Sequence, residues 1–79
     1  MAVKAIVLVT AELGGAAPAA QAISKIPGVK DVQGVTGPYD IIVTVQADDV
    51  NGVGKIVANA IQNAEGVDST ITCIAVDLS

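Results

Sequence analysis

An acidic residue stands directly before one of the most apolar runs of this sequence. Residues 35–40 read VTGPYD, and the run IIVTV at residues 41–45 follows at once. A buried carboxylate without a partner is costly in free energy. Asp40 is therefore expected either to cap its own turn, which is common for aspartate, or to meet a positively charged group that arrives from outside.

Few other side chains could carry out chemistry. The sequence has no histidine, which is the most common general base, and it has one cysteine. A single cysteine forms neither an intrachain disulfide nor a zinc site, so Cys73 is expected to be a small core residue. The basic residues are four dispersed lysines, and the net charge is −4. The basic patch that phosphate contacts require is missing, and no direct binding of nucleic acid is expected.

The composition predicts one small domain, residues 1–79, that associates with copies of itself. Hydrophobic residues make up 52% and charged residues 15% of the chain. So short a chain has little interior, and large apolar patches left at a surface usually mark interfaces. No apolar run reaches the roughly 20 residues of a membrane span. The start, MAVKAIVLV, lacks a signal cleavage site, so we expect a cytoplasmic protein without membrane contact.

Apolar periodicity and turn residues predict four strands and two helices. The strands are expected at residues 4–10, 29–36, 39–47 and 67–78, the second of them at an edge of the sheet. The first helix should begin near Pro18, which suits a first turn, and stop at Pro27 and Gly28. The second should begin at an acidic cap, Asp48 or Asp49, and end at Gly66 in a left-handed conformation.

The sequence also repeats itself when it is shifted by 38 positions. The segment PGV at residues 27–29 then falls on EGV at residues 65–67, and Ile23 falls on Ile61. Each half reads strand, helix, strand. Two such halves predict an α+β fold of the ferredoxin-like βαββαβ type, with an antiparallel four-stranded sheet and both helices on one face.

The sheet face without helices is expected to be apolar. Alternation along the strands assigns five residues to it: Ile6, Leu8, Ile42, Ile74 and Val76. Burial would stabilise each of these side chains by about 1.5–3 kcal/mol. A second copy of the chain is the expected cover, which would give a dimeric α+β barrel.

Two segments, GVTGPYDIIVTVQADD and EGVDSTITCIAV, resemble the effector-binding (RAM) domain of the leucine-responsive and asparagine-responsive (Lrp/AsnC) regulators. That family shows a G-x-Y-D turn before an apolar strand, and a T-x-T strand after the second helix. The resemblance implies a ferredoxin-like fold, dimers through the open sheet face, octamers or similar rings, and small amino-acid effectors between dimers. Family regulators carry an N-terminal helix-turn-helix domain, whereas this sequence starts at its first strand and resembles the stand-alone members. Direct transcriptional regulation is therefore not expected.

The resemblance assigns a ligand site to two segments, with these residues: Thr36, Gly37, Tyr39, Asp40, Thr70 and Thr72. We expect Asp40 to accept a hydrogen bond from the ammonium of an amino acid, an interaction of about 1.5–3 kcal/mol. The N–H groups of Gly37 and Tyr39 and the two threonine hydroxyls are donors for the carboxylate. No catalytic residue, metal ligand or cofactor is expected.

The same residues also suit roles that involve no ligand. Asp40 can cap a turn, threonine is a good strand residue, and Tyr39 can pack across a dimer. The chain can be an amino-acid sensor, or a partner subunit for full-length regulators of the family. It can instead be a small enzyme on a dimeric α+β barrel, or a purely structural module for oligomerisation. A metal chaperone is not expected, because Cys73 lacks a second soft ligand.

Overall fold

The computed structural model describes residues 2–78 and confirms the order of elements predicted from the sequence. The elements are β1 (Val3–Ala11), α1 (Ala16–Ser24), β2 (Val29–Gly34), β3 (Ile41–Ala47), α2 (Val50–Ile56), a π-helical turn (Val57–Ile61) and β4 (Val67–Ile74). Helix α1 begins two residues before Pro18, which therefore still lies in the first turn. Strands β2 and β4 end earlier than predicted, and β3 begins at Ile41 rather than at Tyr39.

The four strands form one antiparallel sheet in the order β2-β3-β1-β4. The edge position predicted for β2 is confirmed, and β4 forms the other edge. Strand β1 lies between β3 and β4, because each helical connection carries the chain across a neighbouring strand. This is the ferredoxin-like arrangement expected from two strand–helix–strand halves.

The core lies between the two helices and one face of the sheet. Every second residue of β1 from Ala5 to Val9 is buried, and each one pairs with a buried residue of β3. Side chains from both helices and the π-helical turn complete an entirely aliphatic cluster: Ala5, Val7, Val9, Ala19, Ile23, Ile41, Val43, Val45, Val53, Val57 and Ile61. The alternation predicted for the two central strands is therefore correct.

The opposite face of the sheet is apolar, but the prediction for β4 was wrong. Ile6, Leu8 and Ile42 lie on this face and are half-buried. Ile74, however, pairs with the buried Ala5 and so lies on the helix face, and Val76 follows the end of β4. The β4 residues on the open face are instead a half-exposed isoleucine and the exposed cysteine: Ile71 and Cys73.

The error in β4 has a physical cause. This strand carries apolar residues at both alternating positions, so its periodicity alone does not select a face. The pairing with β1 selects it, and that pairing is irregular: Thr10 lies opposite Ser69 while Ala11 lies opposite Val67. Cys73 is consequently exposed and is not the core residue that the sequence predicted.

The second helix is less regular than its pattern predicted, and it ends at Ile61 rather than at Gly66, whose positive φ belongs to the loop before β4. Asp49 caps it as expected, since its side chain accepts a hydrogen bond from the Gly52 N–H at 2.7 Å. The last helical residue is Ile61, where a π-type hydrogen bond from the Gln62 N–H to the Val57 carbonyl closes the turn at 2.9 Å. No helix within residues 2–78 combines the length and hydrophobicity that crossing a membrane requires.

The repeat found in the sequence is visible in the backbone. Gly28 and Gly66, which the 38-residue shift superimposes, have φ angles of +94° and +86° and immediately precede β2 and β4. The Gly28 carbonyl accepts from Gln46 N–H near the end of β3, and the Gly66 carbonyl accepts from Glu12 N–H after the end of β1, both at 2.8 Å. In both halves, a glycine with positive φ precedes the second strand, and its carbonyl accepts a backbone hydrogen bond from near the end of the first strand of a half. The two glycines lie at opposite ends of the sheet.

Candidate functional site

The side chain of Asp40 reaches across to the end of β1 rather than capping its own turn. Its Oδ2 atom accepts a hydrogen bond from the Ala11 N–H at 2.7 Å, in a partly buried position. Its own N–H donates to the Val9 carbonyl, and its carbonyl accepts from Val35 N–H, both at 2.9 Å. One carboxylate oxygen thus ties the loop between β2 and β3 to β1. Within residues 2–78, the other oxygen, Oδ1, accepts no hydrogen bond.

The loop between β1 and α1 is a tight turn that faces Asp40. The Gly15 N–H donates to the Glu12 carbonyl at 2.7 Å, and Gly14 has a φ of +74° that favours glycine. Leu13 stands at the tip of the turn and is fully exposed. We call residues 12–15 the wall turn.

A shallow concavity of about 390 Å³ lies between Asp40, the wall turn and the start of α1. Its lining residues come from the end of β1, the wall turn, the start of α1 and the loop before β3: Ala11, Glu12, Leu13, Gly14, Ala16, Ala17 and Asp40. The two titratable side chains in this lining, those of Glu12 and Asp40, are both acids. This side of the concavity suits a positively charged group.

The start of α1 supplies hydrogen-bond donors to the same concavity. The first N–H groups of a helix have no acceptor within the helix, and the cap residue Gly15 has no side chain to satisfy them. The N–H groups of Ala16 and Ala17 therefore remain available, and the positive end of the helix dipole lies there as well. The concavity thus has carboxylates that suit a cation on one side and N–H groups that suit an anion on the other.

The other residues predicted on the β2–β3 loop lie beside this concavity but do not line it. Gly37 has a φ of +135°, a conformation that side chains with a Cβ rarely adopt, and a Cβ at this position would meet no atom within 4 Å. Thr36 is exposed and Tyr39 is half-buried. The N–H groups of Gly37 and Tyr39 have no hydrogen-bond acceptor among residues 2–78.

The two threonines predicted on β4 lie away from Asp40 within one chain. Thr70 pairs with Val9 and Thr72 with Val7, so both are on the helix face of an edge strand. The Thr70 hydroxyl accepts a hydrogen bond from the Gln62 side-chain amide at 3.0 Å, and Thr72 is exposed.

Sequence reasoning missed the wall turn and the start of α1. A usable signal was present, because GG at residues 14–15 follows a predicted strand and Pro18 marks the first turn of a helix. Glycines in that position indicate a loop whose backbone can approach a ligand closely.

The sequence pattern of the family described as the Lrp/AsnC ligand binding domain matches residues 4–78. A homocitrate synthase of Sulfurisphaera tokodaii is 46% identical over 52 residues, which are 66% of this chain and 11% of that enzyme. An uncharacterised HTH-type transcriptional regulator of Pyrococcus furiosus is 41% identical over 56 residues, which are 71% of this chain and 37% of the regulator. The chain thus spans well under half the length of either relative.

Solved structures show the same fold as this chain. A protein of Thermus thermophilus, TTHA0845, superimposes with a TM-score of 0.90 and 32% identity, over 98% of this chain and 96% of the other. A transcriptional regulator of Neisseria meningitidis in complex with L-Met shares the fold with a TM-score of 0.85 at 18% identity, over 96% of this chain and 51% of the other. Because the family pattern covers nearly the whole sequence, the chain belongs to the Lrp/AsnC ligand-binding domain family.

Proposed function

We propose that this domain binds a free amino acid in the concavity beside Asp40. The observation that carries the proposal is the pairing of an acidic side and an uncapped helix N-terminus around one small space. A free amino acid presents an ammonium and a carboxylate a few ångströms apart, and this arrangement has a partner for each. Membership of a ligand-binding family supports the proposal, as does the L-Met complex of the Neisseria meningitidis regulator.

In this proposal the ammonium donates to Asp40 and lies close to the Glu12 carboxylate. Asp40 Oδ2 already accepts from Ala11, so Oδ1 is the atom assigned to the ligand. A charge-assisted hydrogen bond of this kind contributes about 1.5–3 kcal/mol. The ligand carboxylate accepts from the N–H groups of Ala16 and Ala17, where the helix dipole is also favourable.

A second chain would complete the site, because the concavity is open in one chain. Thr36, Gly37 and Tyr39 precede Asp40 in the same loop, and the two predicted threonines, Thr70 and Thr72, lie on β4, beyond β1, and do not line the concavity. We propose that a neighbouring subunit closes the concavity, and that these five residues contact the ligand or its surroundings only in the assembly.

The apolar open face supports self-association as the first step of that assembly. Ile6, Leu8, Ile42, Ile71 and Cys73 lie together on it in three neighbouring strands. Burial of each isoleucine or leucine side chain in an interface would stabilise the assembly by about 1.5–3 kcal/mol. We propose a dimer through this face, with dimers assembling further into an octamer or a similar ring.

The role proposed for the bound domain is to control a partner protein rather than to catalyse a reaction. Its relatives include the HTH-type regulator and, over a shorter segment, the homocitrate synthase. Residues 2–78 contain only the βαββαβ unit. We propose that the ligand-bound assembly acts on full-length regulators of the same family or on an enzyme of amino-acid metabolism.

A thermal-shift screen over the twenty standard amino acids tests the ligand, followed by calorimetry on Asp40→Asn. The asparagine keeps an oxygen for the Ala11 N–H but loses the charge, so we expect about a tenfold or greater loss of affinity. The matched control is Asp48→Asn, an exposed acid between β3 and α2, which should bind like the wild type. The proposal fails if no amino acid raises the melting temperature, or if Asp40→Asn binds unchanged.

Equilibrium sedimentation tests the assembly. The wild type should be a dimer or larger at micromolar concentration, and Leu8→Lys should shift it toward the monomer by placing a charge at the centre of the open face. Val50→Lys, at an exposed position on α2, is the control and should stay associated. A monomeric wild type would contradict the proposed assembly.

A further inference from the structure

The last residue of β1 and the first residue of the wall turn are joined to two other loops by hydrogen bonds from their N–H groups. On one side the Ala11 N–H donates to Asp40, and on the other the Glu12 N–H donates to the Gly66 carbonyl at 2.8 Å. Gly66 belongs to the loop between the π-helical turn and β4 and does not line the concavity. Three loops at this end of the sheet are therefore connected through two adjacent N–H groups.

Gly15 and Gly66 bring the backbones of two of these loops into direct contact. A Cβ on Gly15 would lie 2.9 Å from the Gly66 carbonyl oxygen and 3.0 Å from the Gly66 Cα. A Cβ on Gly66 would lie 3.1 Å from the Gly15 Cα and closer still to its carbonyl oxygen. Neither position has room for a side chain, and the obstructing atoms are backbone atoms that cannot rotate away.

The close approach explains Gly15 better than backbone conformation does. Its φ is −95°, which every residue adopts readily. Glycine is required there because Gly15 is buried against another backbone. The contact holds the start of α1, with the N–H groups of Ala16 and Ala17, at a fixed distance from Asp40.

We infer that Gly15 and Gly66 are positioning residues for the amino-acid site, an inference that rests on the proposed function. Neither residue lines the concavity, yet their contact holds the start of α1, which carries the donor N–H groups, in place relative to Asp40 on the acidic side. The contact also connects the site to the start of the edge strand β4. Ligand binding should accordingly tighten the bond between Glu12 and Gly66, although Gly66 lies outside the concavity.

The variant Gly15→Ala tests the inference, because alanine adopts the φ of Gly15 readily. Its methyl group would meet the Gly66 carbonyl oxygen and Cα, and the Glu12 carbonyl oxygen, at 2.9–3.0 Å. The loops must separate to admit it, which moves the N–H groups of α1 away from Asp40. We expect the amide hydrogen exchange of Ala11 and Glu12 to become at least about tenfold faster, and the affinity for the best amino acid of the twenty to fall by about tenfold.

The matched control is Gly28→Ala, at the position related to Gly66 by the repeat. Gly28 also has a positive φ, and a Cβ there would meet the Ile56 side chain and the Gln46 carbonyl oxygen at the other end of the sheet. This variant should lose stability. It should keep the Ala11 and Glu12 exchange rates and the ligand affinity within about twofold, as independent sites do.

Several outcomes would overturn the inference. One is a Gly15→Ala protein that exchanges and binds like the wild type; another is a Gly28→Ala protein that loses as much affinity. If Gly15→Ala does not fold, the wild type decides: the bound amino acid should slow exchange of the Glu12 amide, and an unchanged rate refutes the coupling. If the wild type binds no amino acid, the proposed function fails, while the exchange rates of Gly15→Ala still decide whether these glycines position the wall turn.

Discussion

The two ends of the sheet use the same backbone device in different surroundings. At one end Gly28 precedes β2 and its carbonyl accepts from Gln46; at the other Gly66 precedes β4 and its carbonyl accepts from Glu12. Gly28 packs against the side chain of Ile56, whereas Gly66 packs against the backbone of Gly15. A side chain therefore packs against the glycine at one end, whereas at the other end two backbones are in contact beside the Asp40 carboxylate.

The two helices differ in a related way. Helix α1 is regular and has no side-chain cap, so its first N–H groups stay available at the concavity. Helix α2 has the Asp49 cap, two glycines and a π-helical end. The repeated unit thus satisfies one helix N-terminus with a side chain and leaves the other without a side-chain cap, at the end of the sheet where we propose that the amino acid binds.

The largest expected loss of stability comes from substitution of the buried isoleucines, which tests whether the two halves contribute equally to the core. Ile23 and Ile61 are fully buried and related by the repeat. Each substitution to alanine should lower the free energy of unfolding by about 2–5 kcal/mol, with Ile61→Ala at the lower end because the π-helical turn can relax around the cavity. Urea denaturation measures both. A loss below about 1 kcal/mol for Ile61→Ala would show that the second half does not contribute equally to the core.

Substitution of Asp40 tests how much the hydrogen bond from the Ala11 N–H to the Asp40 side chain stabilises the end of the sheet that carries the concavity. Asp40→Ala leaves the partly buried Ala11 N–H without its acceptor, which should destabilise the protein by about 1–3 kcal/mol. Asp40→Asn keeps an acceptor oxygen and should cost clearly less. Thermal denaturation of both variants measures the difference. Equal losses would mean that charge, and not the hydrogen bond to β1, explains the stabilising role of Asp40.

The capped helix provides the counterpart at the other end. Asp49→Ala removes the acceptor for the Gly52 N–H and should cost about 1 kcal/mol, as loss of a helix N-cap usually does. Amino-acid affinity should not change, because α2 begins at the end of the sheet away from the concavity. Denaturation and calorimetry on the same sample check the two statements, and a loss of affinity would contradict the separation of the two ends.

The smallest effect sharpens the contrast between the two helices. Gly54 lies inside α2, where an added Cβ would meet no atom within 4 Å. Gly54→Ala should raise the free energy of unfolding by about 0.5–1 kcal/mol through helix propensity alone. Thermal denaturation measures the gain. A destabilised variant would indicate that this face of α2 is covered in the assembly, where the methyl group would clash.

Local features of the sequence predicted much of the fold. The elements, the Asp49 cap and the faces of β1 and β3 follow from patterns within a few residues, and all of them are observed. Helix α1 ends at Ser24, before the predicted stop at Pro27 and Gly28. The face of β4 was predicted wrongly because both of its alternating positions carry apolar residues. The extent of α2 was also misjudged, because an apolar stripe does not reveal where α-helix changes to a π-helical turn.

By itself the sequence determined the two strand–helix–strand halves and the glycines with positive φ that precede β2 and β4. These depend on local conformational preferences and on apolar periodicity. Only the tertiary structure decided which residues surround the Asp40 carboxylate. Its hydrogen-bond partner, Ala11, lies 29 residues away in the chain, and the adjoining contact of Gly15 with Gly66 joins opposite halves. Such neighbours are set by strand register and helix packing summed over the whole domain, and no local pattern records them.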